Sequence, residues 1–239
     1  MERRKKLIIA NLFVLLIGFV AISAGMLFID NSSALADGEK NILICAIDEG
    51  EPRPGMGACD MAFVIKLNNG KLVDYFPVYP SGLTHPTAEE PLEAQTQGAG
   101  PKLLLHDAFW YDNNEQSMQY AKEIVEYQKN VSIDAVVAIN SEALDKIIIA
   151  ASPLVINGEE IEGAGIDFIR DEQDEDGLSR GDAVLGVVKA VLESAKDPNK
   201  RNDMINVAIN QYSKGNIIMT PQGLFAELIA SKGWESLFD

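Results

Sequence analysis

A hydrophobic run without charged side chains, Leu7–Ile29, is the feature that most limits how this chain can fold. About 20 apolar residues in a helix cross a bilayer core of about 30 Å, so the run is long enough to span a membrane. The basic cluster Arg3–Lys6 directly precedes it, and such clusters stay in the cytoplasm. The sequence therefore predicts a cytoplasmic tail at residues 1–6 and one transmembrane helix at residues 7–29.

A cleaved signal peptide is the alternative, because Ala34-Leu35-Ala36 has the small-x-small pattern of a cleavage site. The apolar region of a signal peptide has roughly 7–15 residues, and the longer run here favours an uncleaved anchor. Both interpretations export the C-terminal part. We expect a single-pass protein of the cell membrane, with a linker at residues 30–40 and an extracytoplasmic domain at residues 41–239.

The charge of the chain limits its partners. The net charge is −16 and residues 1–6 contribute +3, so the remaining residues carry −19. A domain this acidic is repelled by nucleic acid, which excludes nucleic acid as a partner. Two cysteines and two histidines exclude cysteine-rich and multi-histidine metal sites. We expect Cys45 and Cys59 to be free thiols, and a bond between neighbouring strands is the alternative.

The apolar pattern predicts strands in the first half of the domain. Asn41–Ile47 is nearly continuous in apolar residues, as in a strand that is buried on both faces, and Met61–Leu67 predicts a second strand. Asn68-Asn69-Gly70 predicts a hairpin turn into a returning strand, Leu72–Phe76. The stretch Pro77–Pro101 lacks periodicity and is expected to be a long loop, either functional or mobile.

Helices alternate with strands in the second half. We predict a strand at Ile133–Ile139 and helices at Asn114–Gln128, Glu142–Ala151 (capped by Ser141), Arg180–Ser194, Asn202–Tyr212 and after Thr220. This alternation predicts one α/β domain with a mixed central sheet flanked by helices.

Two groups of charged residues are candidates for a site. Asp48 and Asp60 follow strand-like runs beside a Gly/Pro-rich loop that holds Arg53, and two close carboxylates can bind Mg²⁺. The alternative is that both aspartates cap turns. Arg170 and Arg180 can grip a phosphate with their forked donors. The alternative for them is pairing with the acidic residues between them.

The two histidines are further candidates for ligand binding. His85 lies in the predicted long loop, and His106 is followed by Asp107. Either histidine can act as a general base or bind a phosphate, and a purely structural role is the alternative. The sequence contains no P-loop, nucleophile elbow, zinc-protease motif or dinucleotide fingerprint.

Several long strings resemble DUF4012, a family of archaeal, membrane-anchored surface proteins whose activity is not established. The strings are Arg53–Val64, Pro77–Ala88, Gln97–Trp110, Ile133–Leu144, SRGDAV and QYSKGNIIMTPQG. The resemblance implies an envelope-associated, extracytoplasmic domain, but it implies no reaction.

More distantly, the order of elements over roughly residues 40–195 is similar to the LytR-CpsA-Psr family. Its members are membrane-anchored phosphotransferases that move polymers from polyprenyl-pyrophosphate carriers onto cell walls. This resemblance implies an α/β sandwich in which Asp60, Arg170 and Arg180 are catalytic and Asp48 and Asp60 hold Mg²⁺.

Three positions depart from that family. Val78 and Tyr79 replace an Arg-Asp pair, and Glu172 replaces a second arginine, so two phosphate-binding cations are missing. Arg53 can supply one of them. The sequence therefore favours a module that binds glycopolymer or a polyprenyl-phosphate carrier. The alternative is a Mg²⁺-dependent phosphotransferase that attaches glycopolymer to the cell wall.

Overall fold

The computed structural model describes residues 37–51, 53–156, 158–161 and 180–224, with the backbone alone at residues 159 and 180–185. The predicted tail and transmembrane helix, together with Arg170, lie outside these residues. Among the described residues, no helix combines the length and the apolar character that crossing a bilayer requires.

The described part of the chain contains nine strands and five helices. The strands are β1 (Glu39–Asp48), β2 (Ala58–Asn68), β3 (Lys71–Val78), β4 (Thr84–Glu89), β5 (Lys102–Leu104), β6 (Ala135–Asn140), β7 (Leu154–Ile156), β8 (Glu159–Ile161) and β9 (Ile217–Thr220). The helices are α1 (Leu92–Thr96), α2 (Asn114–Lys129), α3 (Ser141–Ala151), α4 (Arg180–Ser194) and α5 (Pro198–Ser213).

Five strands form the central sheet in the order β3-β2-β1-β6-β9. β1 is parallel to β6, and the other three pairs are antiparallel. The predicted mixed α/β fold is therefore confirmed. The predicted hairpin turn is also present, because Asn69 and Gly70 both have positive φ angles, 52° and 78°.

Each face of the sheet carries its own hydrophobic core, because side chains alternate along a strand. On one face, Leu43 and Cys45 of β1 pack in a cluster with Ile124 and Val125 of α2. On the other face, Ile42 clusters with Val137 of β6 and with residues of α3 and α5. Cys45 and Cys59 are both buried free thiols, and a hydrogen bond with Cys45, followed by burial, raises the pKa of Cys59.

The prediction of a long loop at Pro77–Pro101 is wrong, because this segment contains β4 and α1.

His85 connects β4 to α2. Its side chain is buried, its Nδ1 accepts hydrogen bonds from the N–H groups of Thr87 and Ala88, and its Nε2 lies 2.6 Å from the Glu123 carboxylate of α2. These contacts come from tertiary packing, which hydrophobic periodicity does not reveal.

Two helix starts also differ from the sequence prediction. The cap of α3 is Asn140, whose side chain accepts from the Ala143 N–H, and Ser141 is the first helical residue. α5 begins at Pro198 after the cap Asp197, four residues before the predicted start. Most of the helix predicted after Thr220 lies outside the described residues.

Candidate functional site

A β-bulge directs Asp60 towards the site. Ala46 of β1 pairs with Met61, and the next residue, Ile47, pairs with Cys59, so Asp60 is the extra residue of β2. Bulges redirect a side chain relative to the pleat and are frequent beside binding sites. The side chain of Asp60 therefore does not follow the alternation of side chains between the two faces of the sheet, and its carboxylate faces His106.

Two glycines fold the loop between β1 and β2 against the rest of the domain. A Cβ atom on Gly55 would lie 2.3 Å from the Tyr111 carbonyl oxygen and 2.4 Å from that of Phe109. Gly57 has a φ of +133°, and a Cβ atom there would lie 2.4 Å from the Asp48 carbonyl oxygen. Only glycine allows this close backbone approach, which brings Glu51 and Arg53 to the segment 106–111.

Arg53 forms a buried ion pair at the base of the site. Its Nε and Nη2 both donate to Asp107 Oδ1, at 3.2 and 3.0 Å, and Nη2 also donates to Glu51 Oε2 at 3.1 Å. The guanidinium lies 4.7 Å from the centre of the Trp110 ring, within range of a cation–π contact. The side chains of Arg53 and Asp107 are only 12% and 6% exposed, so the pair is largely removed from solvent.

His106 stands between three carboxylates. Its Nδ1 lies 3.3 Å from Asp107 Oδ1, and its Nε2 lies 3.6 Å from Asp60 Oδ1 and 3.8 Å from Glu51 Oε2. Asp107, followed by Asp60, raises the pKa of His106 to about 10, although partial burial acts against this. The imidazole is therefore a cation at neutral pH.

The charge of Asp107 depends on its neighbours. Burial disfavours the carboxylate, but His106 and Arg53 outweigh burial and hold the pKa of Asp107 below its ordinary value. Glu90 lies close to Asp107 and is only 3% exposed. Its Oε1 accepts from the Leu104 N–H at 2.9 Å, while no described residue gives its buried Oε2 a hydrogen bond. Burial, helped by Asp107, raises the pKa of Glu90 to about 7.

A cavity of about 420 Å³ opens beside these groups. Its polar side is formed by Glu51, Asp60 and His106. The remaining wall is formed by β2, β3 and α4 residues and by the segment after β3: Met61, Ala62, Phe63, Tyr75, Pro77, Val78, Tyr79, Pro80, Ser81 and Val188.

A second cavity of about 220 Å³ lies on the sheet face beneath α3 and α4, and its wall is apolar. The two cavities share Met61, Phe63 and Val188, so they lie next to each other at these residues. The other residues of the second cavity are Ile44, Ala46, Ile65, Ile139, Leu144, Ile147, Ile148, Val187, Val191 and Leu192.

The structure brings together four of the predicted site residues: Asp60, Arg53, His106 and Asp107. Asp48 Oδ1 accepts from the Gly50 N–H at 2.7 Å, which is the turn-capping contact of the alternative interpretation. His85 is not among the residues that line either cavity. Arg180 begins α4, but its side chain, like all of Arg170, lies outside what the structure describes.

Sequence reasoning missed Glu51 and Glu90. Glu51 stands in the same Gly/Pro-rich loop as Arg53. Its position two residues before a candidate site residue could have identified it. Glu90 follows another glutamate in the predicted long loop, and its sequence context gives no sign of burial.

Replacing Gly55 by alanine should destabilise the loop that carries Glu51 and Arg53. The added methyl group meets two carbonyl oxygens of the backbone, which cannot rotate away, so we expect a loss of about 1–2 kcal/mol of unfolding free energy. Urea unfolding measures this effect. Gly100→Ala is the control, because a Cβ atom added there would have nothing within 4 Å. Equal effects of the two substitutions would contradict the packing argument.

Comparison with known proteins adds to this geometry. Residues 37–172 match the model of the family described as "Protein of unknown function (DUF4012)". No curated protein sequence matches the chain. Several crystal structures share the fold, and the archaeal source that the resemblance implies stays a prediction.

Three of these structures are similar over most of their length at low sequence identity. TagV of B. subtilis is 14% identical, with a TM-score of 0.51 over 84% of this chain and 83% of that chain. EF0465 from Enterococcus faecalis, described as a transcriptional regulator, is 16% identical, with a TM-score of 0.54 over 83% and 72%. TagT bound to LIIa-WTA is 14% identical, with a TM-score of 0.52 over 84% and 79%.

At these identities the likeness concerns the fold. TagT and TagV are LytR-CpsA-Psr proteins, so the predicted relation to that fold is confirmed. The family model covers more than half of the chain, and the chain therefore belongs to the DUF4012 family.

Proposed function

We propose that this protein is a membrane-anchored, extracytoplasmic module of the cell envelope that binds glycopolymer through its polyprenyl-phosphate carrier. The observation that carries the proposal is the pair of neighbouring cavities, one apolar and one with a polar side, that share three wall residues. A lipid-linked glycopolymer has the matching chemistry, because a hydrocarbon chain is joined to a phosphate and then to sugars.

The apolar cavity suits the hydrocarbon chain. Aliphatic side chains of the sheet, α3 and α4 form its wall, and each buried methylene group contributes about 0.8 kcal/mol to binding. A prenyl chain that enters between Phe63 and Val188, where the cavities lie next to each other, places its phosphate in the larger cavity. The sugar chain then extends into solvent, since the larger cavity opens to the surface.

The phosphate would meet a mixed set of charges. Glu51, Asp60 and Asp107 are anionic and His106 and Arg53 are cationic, so these five groups sum to −1. Binding a phosphate therefore requires a further cation. Arg180 begins the helix that contributes Val188 to both cavities, and it supplies that charge in this proposal, together with Arg170.

The comparison with known structures supports an envelope role. TagT, which has a similar fold, has been crystallised with LIIa-WTA and with LI-WTA. The predicted N-terminal helix would hold the present domain at the outer face of the cell membrane, where lipid-linked polymers are found. The chain's −19 charge outside the tail keeps the domain from lying flat on anionic lipid.

We favour binding over phosphoryl transfer. The family resemblance implies Mg²⁺ on Asp48 and Asp60, but Asp48 Oδ1 is engaged with the Gly50 N–H, and an imidazole stands beside Asp60. Mg²⁺ prefers oxygen ligands, so the imidazole nitrogen beside Asp60 suits it poorly. Transfer also needs cations at the developing charge, and Val78 and Glu172 stand where that family has arginines.

Native mass spectrometry of the full chain in detergent with undecaprenyl phosphate tests the proposal. We expect one bound lipid per chain. Val188→Trp should weaken binding at least about tenfold, because Val188 lines both cavities and the larger side chain takes up space in them. The matched control is Val73→Trp, since Val73 is 60% exposed on β3. Failure of the wild-type chain to bind, or equal binding by both variants, would refute the proposal.

A further inference from the structure

Three side chains at the edge of the larger cavity have the spacing of metal ligands. One ligand atom from each of Glu51, Asp60 and His106 lies within 4.8 Å of the other two. His106 Nε2 is 3.6 Å from Asp60 Oδ1 and 3.8 Å from Glu51 Oε2, which is long for a hydrogen bond. Ligands at about 2.1 Å from one tetrahedral ion lie about 3.4 Å apart. The two distances to His106 Nε2 are therefore within a few tenths of an ångström of that spacing.

At Nδ1, the ring nitrogen away from Glu51 and Asp60, His106 has the carboxylate contact that is typical of metal-binding histidines. His106 Nδ1 faces the buried Asp107 carboxylate at 3.3 Å, and Arg53 fixes that carboxylate with two hydrogen bonds. A carboxylate at the far nitrogen sets the tautomer and orientation of a metal-bound histidine. In this protein the Asp107 carboxylate accepts from the Nδ1–H group, and Nε2 faces Glu51 and Asp60.

A backbone hydrogen bond and the side chain of Arg53 hold the three ligands in place. The N–H of Cys59, next to Asp60, donates to the His106 carbonyl oxygen at 2.8 Å. The third ligand, Glu51, accepts from Arg53 at 3.1 Å, and Arg53 in turn binds Asp107. Each ligand is therefore connected to the others through short contacts, which reduces the reorganisation that binding would require.

We infer that Glu51, Asp60 and His106 form a site for a Zn²⁺-type divalent cation, with Asp107 as the group that orients His106. The imidazole decides the class of metal, since nitrogen donors suit Zn²⁺ and related transition ions, whereas Mg²⁺ takes oxygen ligands. Three protein ligands would leave one position of a tetrahedral site for water or a substrate group, and all three line the larger cavity. Coordination would release the Nε2 proton of His106 to the solvent, because a metal ion binds the lone pair that this proton occupies.

This site differs from the Mg²⁺ site on Asp48 and Asp60 that the family resemblance implies. It also goes beyond the proposed lipid binding, because the metal is measured without any lipid. Failure of one proposal therefore leaves the other standing.

Titration of the full chain in detergent, after removal of metals with EDTA, tests the inference. Calorimetry with Zn²⁺ should give one ion per chain, bound at least about 100-fold more tightly than Mg²⁺. Co²⁺ used as a probe should give visible absorption bands from nitrogen and oxygen coordination. Asp60→Asn and His106→Gln should abolish these bands and the Zn²⁺ binding.

Two further variants distinguish the orienting residue from a general effect of charge. Asp107→Asn should weaken Zn²⁺ binding about 10–100-fold without changing the stoichiometry. Glu93→Gln, which removes an exposed carboxylate on α1, should leave the affinity unchanged. Circular dichroism verifies that each variant is folded. Zn²⁺ binding that survives His106→Gln, or equal affinity for Zn²⁺ and Mg²⁺, would overturn the inference.

Discussion

Replacing Arg53 by methionine should lower the free energy of unfolding by about 2–4 kcal/mol, because it leaves the buried Asp107 carboxylate with His106 as its one charged partner among the described residues. The guanidinium donates twice to Asp107 and lies over the Trp110 ring, and neither contact survives in methionine. Urea unfolding followed by Trp fluorescence measures the change.

Two controls separate the buried pair from charge removal in general. Lys196→Met breaks an exposed pair with Glu193 and should leave the stability nearly unchanged. Arg53→Lys keeps the charge but loses the fork and much of the ring contact, so an intermediate loss is expected. If Arg53→Met and Lys196→Met had the same effect, the buried pair would not be the source of stability.

Glu90→Gln should raise the free energy of unfolding at pH 8 by about 2–3 kcal/mol and change it little at pH 4. The pKa of the Glu90 carboxyl is raised to about 7 in the fold from an ordinary value of 4.5. Glu90 alone therefore costs the wild-type protein stability as the pH rises from 4.5 to 7, and this cost persists above pH 7. Glutamine is always neutral and can still accept from the Leu104 N–H.

The pH profile is the measurement that identifies this effect. The difference between Glu90→Gln and the wild type, determined by urea unfolding, should grow between pH 4.5 and pH 7 and then stay constant. Glu93→Gln provides the matched control, because its exposed carboxylate should give parallel curves. A Glu90→Gln difference that does not change with pH would show that burial of charge is not its cause.

The elements that the sequence predicted well have strong local signals. β1 has a continuous apolar run, Asn69-Gly70 has the chemistry of its turn, and α2 has a regular apolar face. β4 and α1 have none of these. Pro86 and Pro91 interrupt that stretch, and its structure depends on β5 and on the His85–Glu123 contact with α2.

The site was predictable by residue type but not by arrangement. Asp60, His106, Asp107 and Arg53 were all candidates, yet Arg53 and Asp107 are 54 residues apart and sequence alone does not show that they meet. The bulge at Asp60 is equally hidden, because an extra residue in a strand leaves no mark in an apolar pattern. Asp48 Oδ1 accepts from the Gly50 N–H, the turn contact that was the alternative for this residue, and the Mg²⁺ site on Asp48 and Asp60 stays a prediction.

The parallel pairing of β1 with β6 has a consequence for how the chain folds. Asn41 and Asp134, at the start of this pair, are 93 residues apart, whereas β2 and β3 are joined by a tight turn. Contacts between distant residues form slowly, because a long loop must close first. The β1–β2–β3 meander therefore forms early with one edge of β1 open, and an open apolar edge invites pairing with other chains. The chain is therefore most vulnerable to aggregation until residues 135–140 pair with β1 and cover that edge.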